Sequence, residues 1–102
     1  MAIRMIVTDL DGTLLNSRFQ IPAENKAALQ AAAAKGVFVT LATGRMYSSA
    51  RPYALELGID APIITYNGAV VKSVRGEVLF SSYLAADTGA AVLRSCFARQ
   101  WS

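Results

Sequence analysis

Histidine is absent from this chain of 102 residues, and cysteine occurs once, at Cys96. Without imidazole, Ser-His and Cys-His catalysis and histidine-built metal sites are excluded for the chain taken alone. A single thiol cannot close an internal disulfide, which fits a reducing cytoplasm. Long apolar runs are lacking too. The best candidates, around 27–34 and 37–42, are broken by Lys35, Gly36 and Gly44. They fall short of the ~18 residues a membrane helix needs. No leader peptide is expected, because a strand pattern begins a few residues after Met1. Charge is also unclustered: ten Lys and Arg and seven Asp and Glu are scattered, for a net charge of +3. The basic residues do not interleave with aromatics, so no nucleic-acid partner is expected. Mild basicity suits an anionic small substrate.

Hydrophobic residues make up 54% of the chain and charged residues 17%, a balance that excludes disorder. The length is natural for one domain, whose folding hides roughly 60–70% of the unfolded surface. The most informative segment is Asp9-Leu10-Asp11-Gly12-Thr13-Leu14. It follows the apolar run Ile3–Val7, which reads as a buried strand over Ile3–Thr8. Two carboxylates thus leave the carboxyl end of a strand together, where open α/β sheets bind ligands. Like charges so close are unfavourable unless a cation sits between them or one holds a proton. A hard, oxygen-seeking cation such as Mg²⁺ answers the first condition. Either condition suits acid–base and nucleophilic chemistry on a phosphate. In isolation, Asp-Gly is also an ordinary turn dipeptide.

After a loop over 9–21, Pro22 stands where a first helical residue is tolerated, and Ala23–Lys35 has strong helix propensity with Gly36 as its stop. Val37–Ala42 reads as a second buried strand. Met46–Leu57 reads as a helix ended by Gly58, with Pro52 predicting a kink or a start near position 52. Ile63–Tyr66 is a third strand, and Val70–Lys72 with Glu77–Ser81 flank Arg75-Gly76 as a hairpin. Asp87 is placed to cap a last helix over Thr88–Arg99. Near-continuous apolar strands separated by helices predict a parallel α/β sheet covered on both faces, with right-handed crossovers.

Three successive strands end in a polar residue plus glycine: Asp11-Gly12, Thr43-Gly44 and Asn67-Gly68. Adjacent parallel strands set such ends side by side. The Thr43 hydroxyl and the Gly44 amide then point to a phosphoryl oxygen at a helix N-terminus. Taken alone, Thr43 also suits a helix cap.

These segments resemble a known family. Ile-Val-Thr-Asp-Leu-Asp-Gly-Thr-Leu-Leu resembles the first motif of the haloacid dehalogenase superfamily, and Leu-Ala-Thr-Gly-Arg its second. Ile-Thr-Tyr-Asn-Gly-Ala with the hairpin after it is similar to the Cof-type branch of sugar-phosphate phosphatases. The resemblance implies a partial Rossmann-like core over residues 1–82 and the start of a truncated cap domain over 83–102. It implies Asp9 as the nucleophile that forms an aspartyl-phosphate and Asp11 as the acid and then the base. It further implies Mg²⁺ held by the Asp9 carboxylate and the Asp11 backbone carbonyl. Thr43 and Gly44 would bind the transferring phosphate, and Arg45 and Asn67 would reach the substrate or the cap. The implied partner is a small phosphorylated metabolite.

The family's third motif, a basic residue, and its fourth, an acidic cluster that completes the metal site, have no counterpart here. After Asn67 the only acids are Glu77 and Asp87. The chain therefore reads as the N-terminal portion of a longer phosphatase and as deficient by itself. The alternatives are a non-catalytic fragment or interaction domain, or a receiver-type signalling domain. A receiver needs an aspartate where Asn67 stands. With the later strands lacking, the edge of strand one is also expected to drive self-association.

Overall fold

Alternation of apolar strands and alanine-rich helix produces the expected order of elements. The computed structural model describes residues 2–82 together with helical backbone at 90, 91, 94 and 95. The expected cap segment 83–102 and its helix Thr88–Arg99 otherwise lie outside the described residues. The elements are β1 (Met5–Thr8), α1 (Ala23–Ala34), β2 (Phe38–Leu41), α2 (Tyr47–Leu57), β3 (Ile63–Thr65), β4 (Val70–Lys72) and β5 (Val78–Ser81). Among the described residues no helix is long and apolar enough to cross a membrane.

β1 and β2 are parallel, with Met5 opposite Phe38 and Thr8 opposite Leu41. A parallel bridge between Ala42 and Ile64 carries the layer on to β3, and the Thr43 N–H donates to the Ile64 carbonyl at 2.9 Å. The carboxyl ends of β1, β2 and β3 thereby lie in a row. β3, β4 and β5 then continue antiparallel. The hairpin is where the sequence places it. Its pairing back onto β3 through a single tight turn at Tyr66–Gly68 is an added feature.

α1 begins after Pro22, and the chain leaves it through Gly36 at φ 87°. α2 departs from expectation. It starts at Tyr47 and runs on through Pro52 rather than starting there. Pro52 cannot donate to the carbonyl four residues before it, a loss that in a helix interior costs about 3 kcal/mol. Ala50, Ala54 and Leu57 sit fully or almost fully buried against the sheet on the opposite side of this break. Tertiary packing of that stripe holds the helix where propensity alone would end it.

The core is one cluster. Leu10, Leu14 and Leu15 from the first loop meet Val39 and Leu41 of β2, Ile63 of β3, and Ala50, Ala54 and Leu57 of α2. The expectation of a sheet covered on both faces is corrected here. α1 and α2 touch each other, as crossovers of the expected right hand that step in one direction, β1 to β2 to β3, put both helices on the same face. On the other face Met5, Val7 and Phe38 are 58%, 47% and 64% exposed. With Thr40, Pro62, Ile64 and Val71 they line an apolar hollow of about 320 Å³.

Among the described residues nothing pairs with the outer edge of β1. An open edge beside an uncovered apolar face is a template for another strand. The expected outcome for the 102-residue polypeptide in isolation is self-association that grows with concentration. Sedimentation velocity over a concentration series measures it, and a monodisperse monomer throughout would refute it.

Candidate active site

Asp9 leaves β1 with extended backbone, and its carboxylate Oδ1 accepts the N–H of Leu10 at 2.7 Å. Asp11 is extended as well, and Gly12 then turns the chain at φ 74°. That left-handed conformation costs a residue with a side chain roughly 1 kcal/mol or more. The turn closes when the Leu15 N–H reaches the Leu10 carbonyl at 2.9 Å. Leu10 and Leu14 are buried while Asp9, Asp11 and Gly12 are exposed. The two leucines therefore anchor the loop in the core and hold the acidic pair at the surface.

Thr43 is buried, 4% exposed, at the end of β2. Its Oγ1 accepts the Arg45 N–H at 3.0 Å, which leaves the hydroxyl proton to donate elsewhere. The Thr43 carbonyl accepts the Asn67 N–H at 3.0 Å, so the loops after β2 and β3 are tied together. Tyr66 and Asn67 both adopt left-handed backbone, φ 49° and 54°. Asparagine tolerates this conformation, whereas for tyrosine it is strained. The Asn67 amide packs so closely on Gly44 that a Cβ there would lie 2.9 Å from Oδ1. Glycine at 44 is a requirement of that approach.

Asp9, Thr43, Gly44 and Asn67 line one cavity of about 310 Å³ with Ala42, Ile64 and Gly68. Among the described residues Asp9 is the only acid in this lining. Another hollow, of about 270 Å³, lies between α1 and the end of α2, lined largely by apolar side chains such as Leu29, Val39 and Leu57.

Asp11 and Arg45 are not part of the cavity lining; they face each other. Arg45 Nε donates to Asp11 Oδ2 and Nη2 to Oδ1, both at 2.7 Å. The hydrogen bonds from Arg45 come first in holding the Asp11 carboxyl below its usual range, and the same pairing raises the arginine. Asp11 is thus ionised at neutral pH in this state. A carboxyl depressed in the folded state stabilises the fold above its ordinary range, and that contribution is lost as pH falls through the depressed value. Because Asp11 is open to solvent, the effect on stability is small.

Three residues around Arg45 escape the sequence reading. Ser49 Oγ accepts from Nη1 at 2.9 Å, and the rings of Tyr53 and Phe19 lie 5.2 and 5.7 Å from the guanidinium carbon. The spacing 45, 49, 53 is a one-face helical signal that marks the first two. Phe19 comes from a distant loop and leaves no such trace.

The geometry is that of three parallel strand ends meeting at one carboxylate. Residues 6–101 match the family model of the haloacid dehalogenase-like hydrolases. The chain belongs to that family.

Relatives of this chain bear phosphatase names. HMP-PP phosphatase of Serratia proteamaculans is 37% identical over 92 residues, 90% of this chain and 34% of that protein. The 5-amino-6-(5-phospho-D-ribitylamino)uracil phosphatase YcsE of Bacillus subtilis is 41% identical over 69 residues, 68% of this chain and 28% of that protein. The crystal structure of a haloacid dehalogenase-like hydrolase from Bacteroides thetaiotaomicron superposes with a TM-score of 0.84 at 27% identity, over 97% of this chain and 39% of that one. The chain spans about a third or less of the length of these curated relatives, 34% and 28%.

The donor chemistry of the candidate site fits Mg²⁺ in kind. Oxygen donors are what a small hard cation takes, and it keeps several waters when bound by one or two protein groups. Asp9 Oδ2 and the Asp11 main-chain carbonyl are such donors. Among the described residues no group of three or more His, Cys, Asp or Glu is gathered to hold a metal.

Proposed function

We propose that the protein to which this chain belongs hydrolyses phosphoric monoesters of small metabolites, sugar phosphates or phosphorylated cofactor precursors among them. The observation that carries the reading is the placement of Asp9, the one carboxylate among the described residues that line it, in a cavity shared with Thr43, Gly44 and Asn67. An Asp9 oxygen attacks phosphorus, the bond from phosphorus to the ester oxygen breaks, and an aspartyl-phosphate forms on Asp9. Asp11, released from the Arg45 fork and protonated from solvent, gives the leaving oxygen that proton, and the carboxylate so formed takes one back from the water that attacks phosphorus next. The second attack breaks the bond between phosphorus and Asp9, which restores the carboxylate and frees inorganic phosphate. The Thr43 hydroxyl and the Gly44 amide hold phosphoryl oxygens throughout. The Asp9 carboxylate and the Asp11 carbonyl would hold Mg²⁺, which would supply positive charge against the phosphoryl group. A cytoplasmic setting belongs to the same proposal and agrees with the single thiol.

The test is release of inorganic phosphate by the full-length protein from a panel of sugar phosphates and phosphorylated cofactor precursors, with Mg²⁺ and with excess chelator. Release that requires the metal is expected. Silence across the whole panel, or turnover unaffected by chelator, would overturn the reading.

A further inference from the structure

We infer that the Arg45 fork is a subsite for a second oxyanion of the substrate, which enters by exchange with Asp11. The substrate class is then phosphate monoesters that carry a carboxylate or a further phosphate close to the ester bond. That class rests on the phosphatase reading above; the exchange at the fork does not. Arg45 Nε donates to Asp11 Oδ2 and Nη2 to Oδ1, both at 2.7 Å. Two parallel donors of this kind match a carboxylate and a phosphate alike. Among the described residues Asp11 is the sole carboxylate within ion-pair distance of the guanidinium. So paired, Asp11 stands outside the residues that line the Asp9 cavity. Service to the leaving oxygen there requires it to vacate the fork.

What Asp11 leaves behind is a poorly solvated cation. The Arg45 side chain is 22% exposed, against 48% for Asp11. The rings of Tyr53 and Phe19 flank it, and Nη1 donates to Ser49 Oγ at 2.9 Å. The Tyr53 hydroxyl donates to the Phe19 carbonyl at 2.7 Å, which braces the two rings. The Arg45 main chain is tied down as well: its N–H donates to Thr43 Oγ1 and its carbonyl accepts the Tyr66 N–H, both at 3.0 Å. Of the pair, the open aspartate is the partner free to turn. Charged donors stripped of their acceptor in such a setting are costly, and an incoming oxyanion removes that cost. The fork also adjoins the cavity along the chain. Arg45 follows the lining residues Thr43 and Gly44, and Asp11 lies two positions after Asp9. Two residues span at most about 7 Å, so a phosphoryl group at Asp9 and an oxyanion at the fork belong to one short molecule. A cation beside the cavity, outside its lining, suits a charge on the leaving group.

The experiment uses the full-length protein and esters of one length: the phosphate ester of β-hydroxypropanoate, that of β-hydroxypropanamide, and trimethylene glycol bisphosphate. The carboxylate or the bisphosphate, or both, should exceed the neutral carboxamide in kcat/KM by at least about tenfold. Which of them does so names the source of the oxyanion. In Arg45→Gln the preference should fall to within about twofold, and Arg45→Lys, which keeps the charge and loses the fork, should retain part of it. No preference over the carboxamide in the unaltered protein would overturn the inference. Equal losses on every ester in Arg45→Gln would overturn it too, and would make Arg45 a ligand of the transferring phosphoryl group. Calorimetry with phosphonopropanoate and phosphonopropanamide, which cannot be hydrolysed, gives a readout free of turnover. Asp11→Asn removes the competing carboxylate and should tighten phosphonopropanoate by at least about fivefold, a gain that should vanish when Arg45→Gln is added. A gain that persists without Arg45 would reflect relief of charge repulsion and would overturn the exchange. So would equal affinity of the two phosphonates for the unaltered protein, or no binding of either. If no ester is hydrolysed, the phosphatase reading fails while these affinities still decide the exchange.

Discussion

Replacing Asp9 by asparagine is expected to cut phosphate-ester turnover by the full-length protein by on the order of 10³-fold or more, the scale on which removal of a covalent nucleophile acts. The substitution is close to isosteric. The amide oxygen of asparagine can still accept the Leu10 N–H now bound to Asp9 Oδ1 at 2.7 Å, so the loop keeps its local anchor. What disappears is the charge and the attacking oxygen. The thermal midpoint should therefore hold within a few degrees, because no buried contact is lost. Steady-state kinetics on the best ester of the panel, with unfolding followed in parallel, separates the two effects. Turnover within about tenfold of the unaltered protein would remove Asp9 from the role of nucleophile.

The 102-residue polypeptide by itself is expected to hydrolyse the same ester at least about 100-fold more slowly than the full-length protein. Among the described residues the cavity lining carries one carboxylate, Asp9, and no lysine or arginine. Arg45 has both forked contacts on Asp11. Among the described residues no further acids gather to complete a metal site. A transferring phosphoryl group carries charge that must be neutralised, and little chemistry remains for the protein beyond that and positioning. Phosphate release by purified 1–102, measured against the full-length protein at equal Mg²⁺, is the comparison. Comparable rates would show that the groups needed are already within these residues.

Element order was largely legible because periodicity and stop signals agree. Gly36 and Gly58 end the two helices, and both adopt the left-handed backbone that such an end requires. Arg75-Gly76 turns the hairpin where expected. The illegible parts are those where distant residues decide. Pro52 sits inside α2 because Ala50, Ala54 and Leu57 are buried together, and single-residue propensity carries no information on that burial. β1 reads as a doubly buried strand from Ile3, Met5, Ile6 and Val7, yet Ile3, Met5 and Val7 are exposed. An apolar strand advertises the burial it is built for, and the partners that supply it lie elsewhere.

In the candidate site the same division holds. Sequence alone determined which chemistry is available: no imidazole, a lone thiol, two aspartates with a glycine at a strand end, and Thr-Gly and Asn-Gly at the next two. Short-range rules suffice for that, since strand ends and turns are local and parallel pairing sets them in a row. Only the tertiary structure decided how those groups divide. Asp9 shares the cavity with Thr43, Gly44 and Asn67, while Asp11 turns to Arg45, thirty-four positions away along the chain. The physical reason is that a charge takes the partner that the packed backbone brings within 3 Å. That choice depends on the cradle of Ser49, Tyr53 and Phe19, contributed by α2 and a separate loop, and no local pattern encodes it.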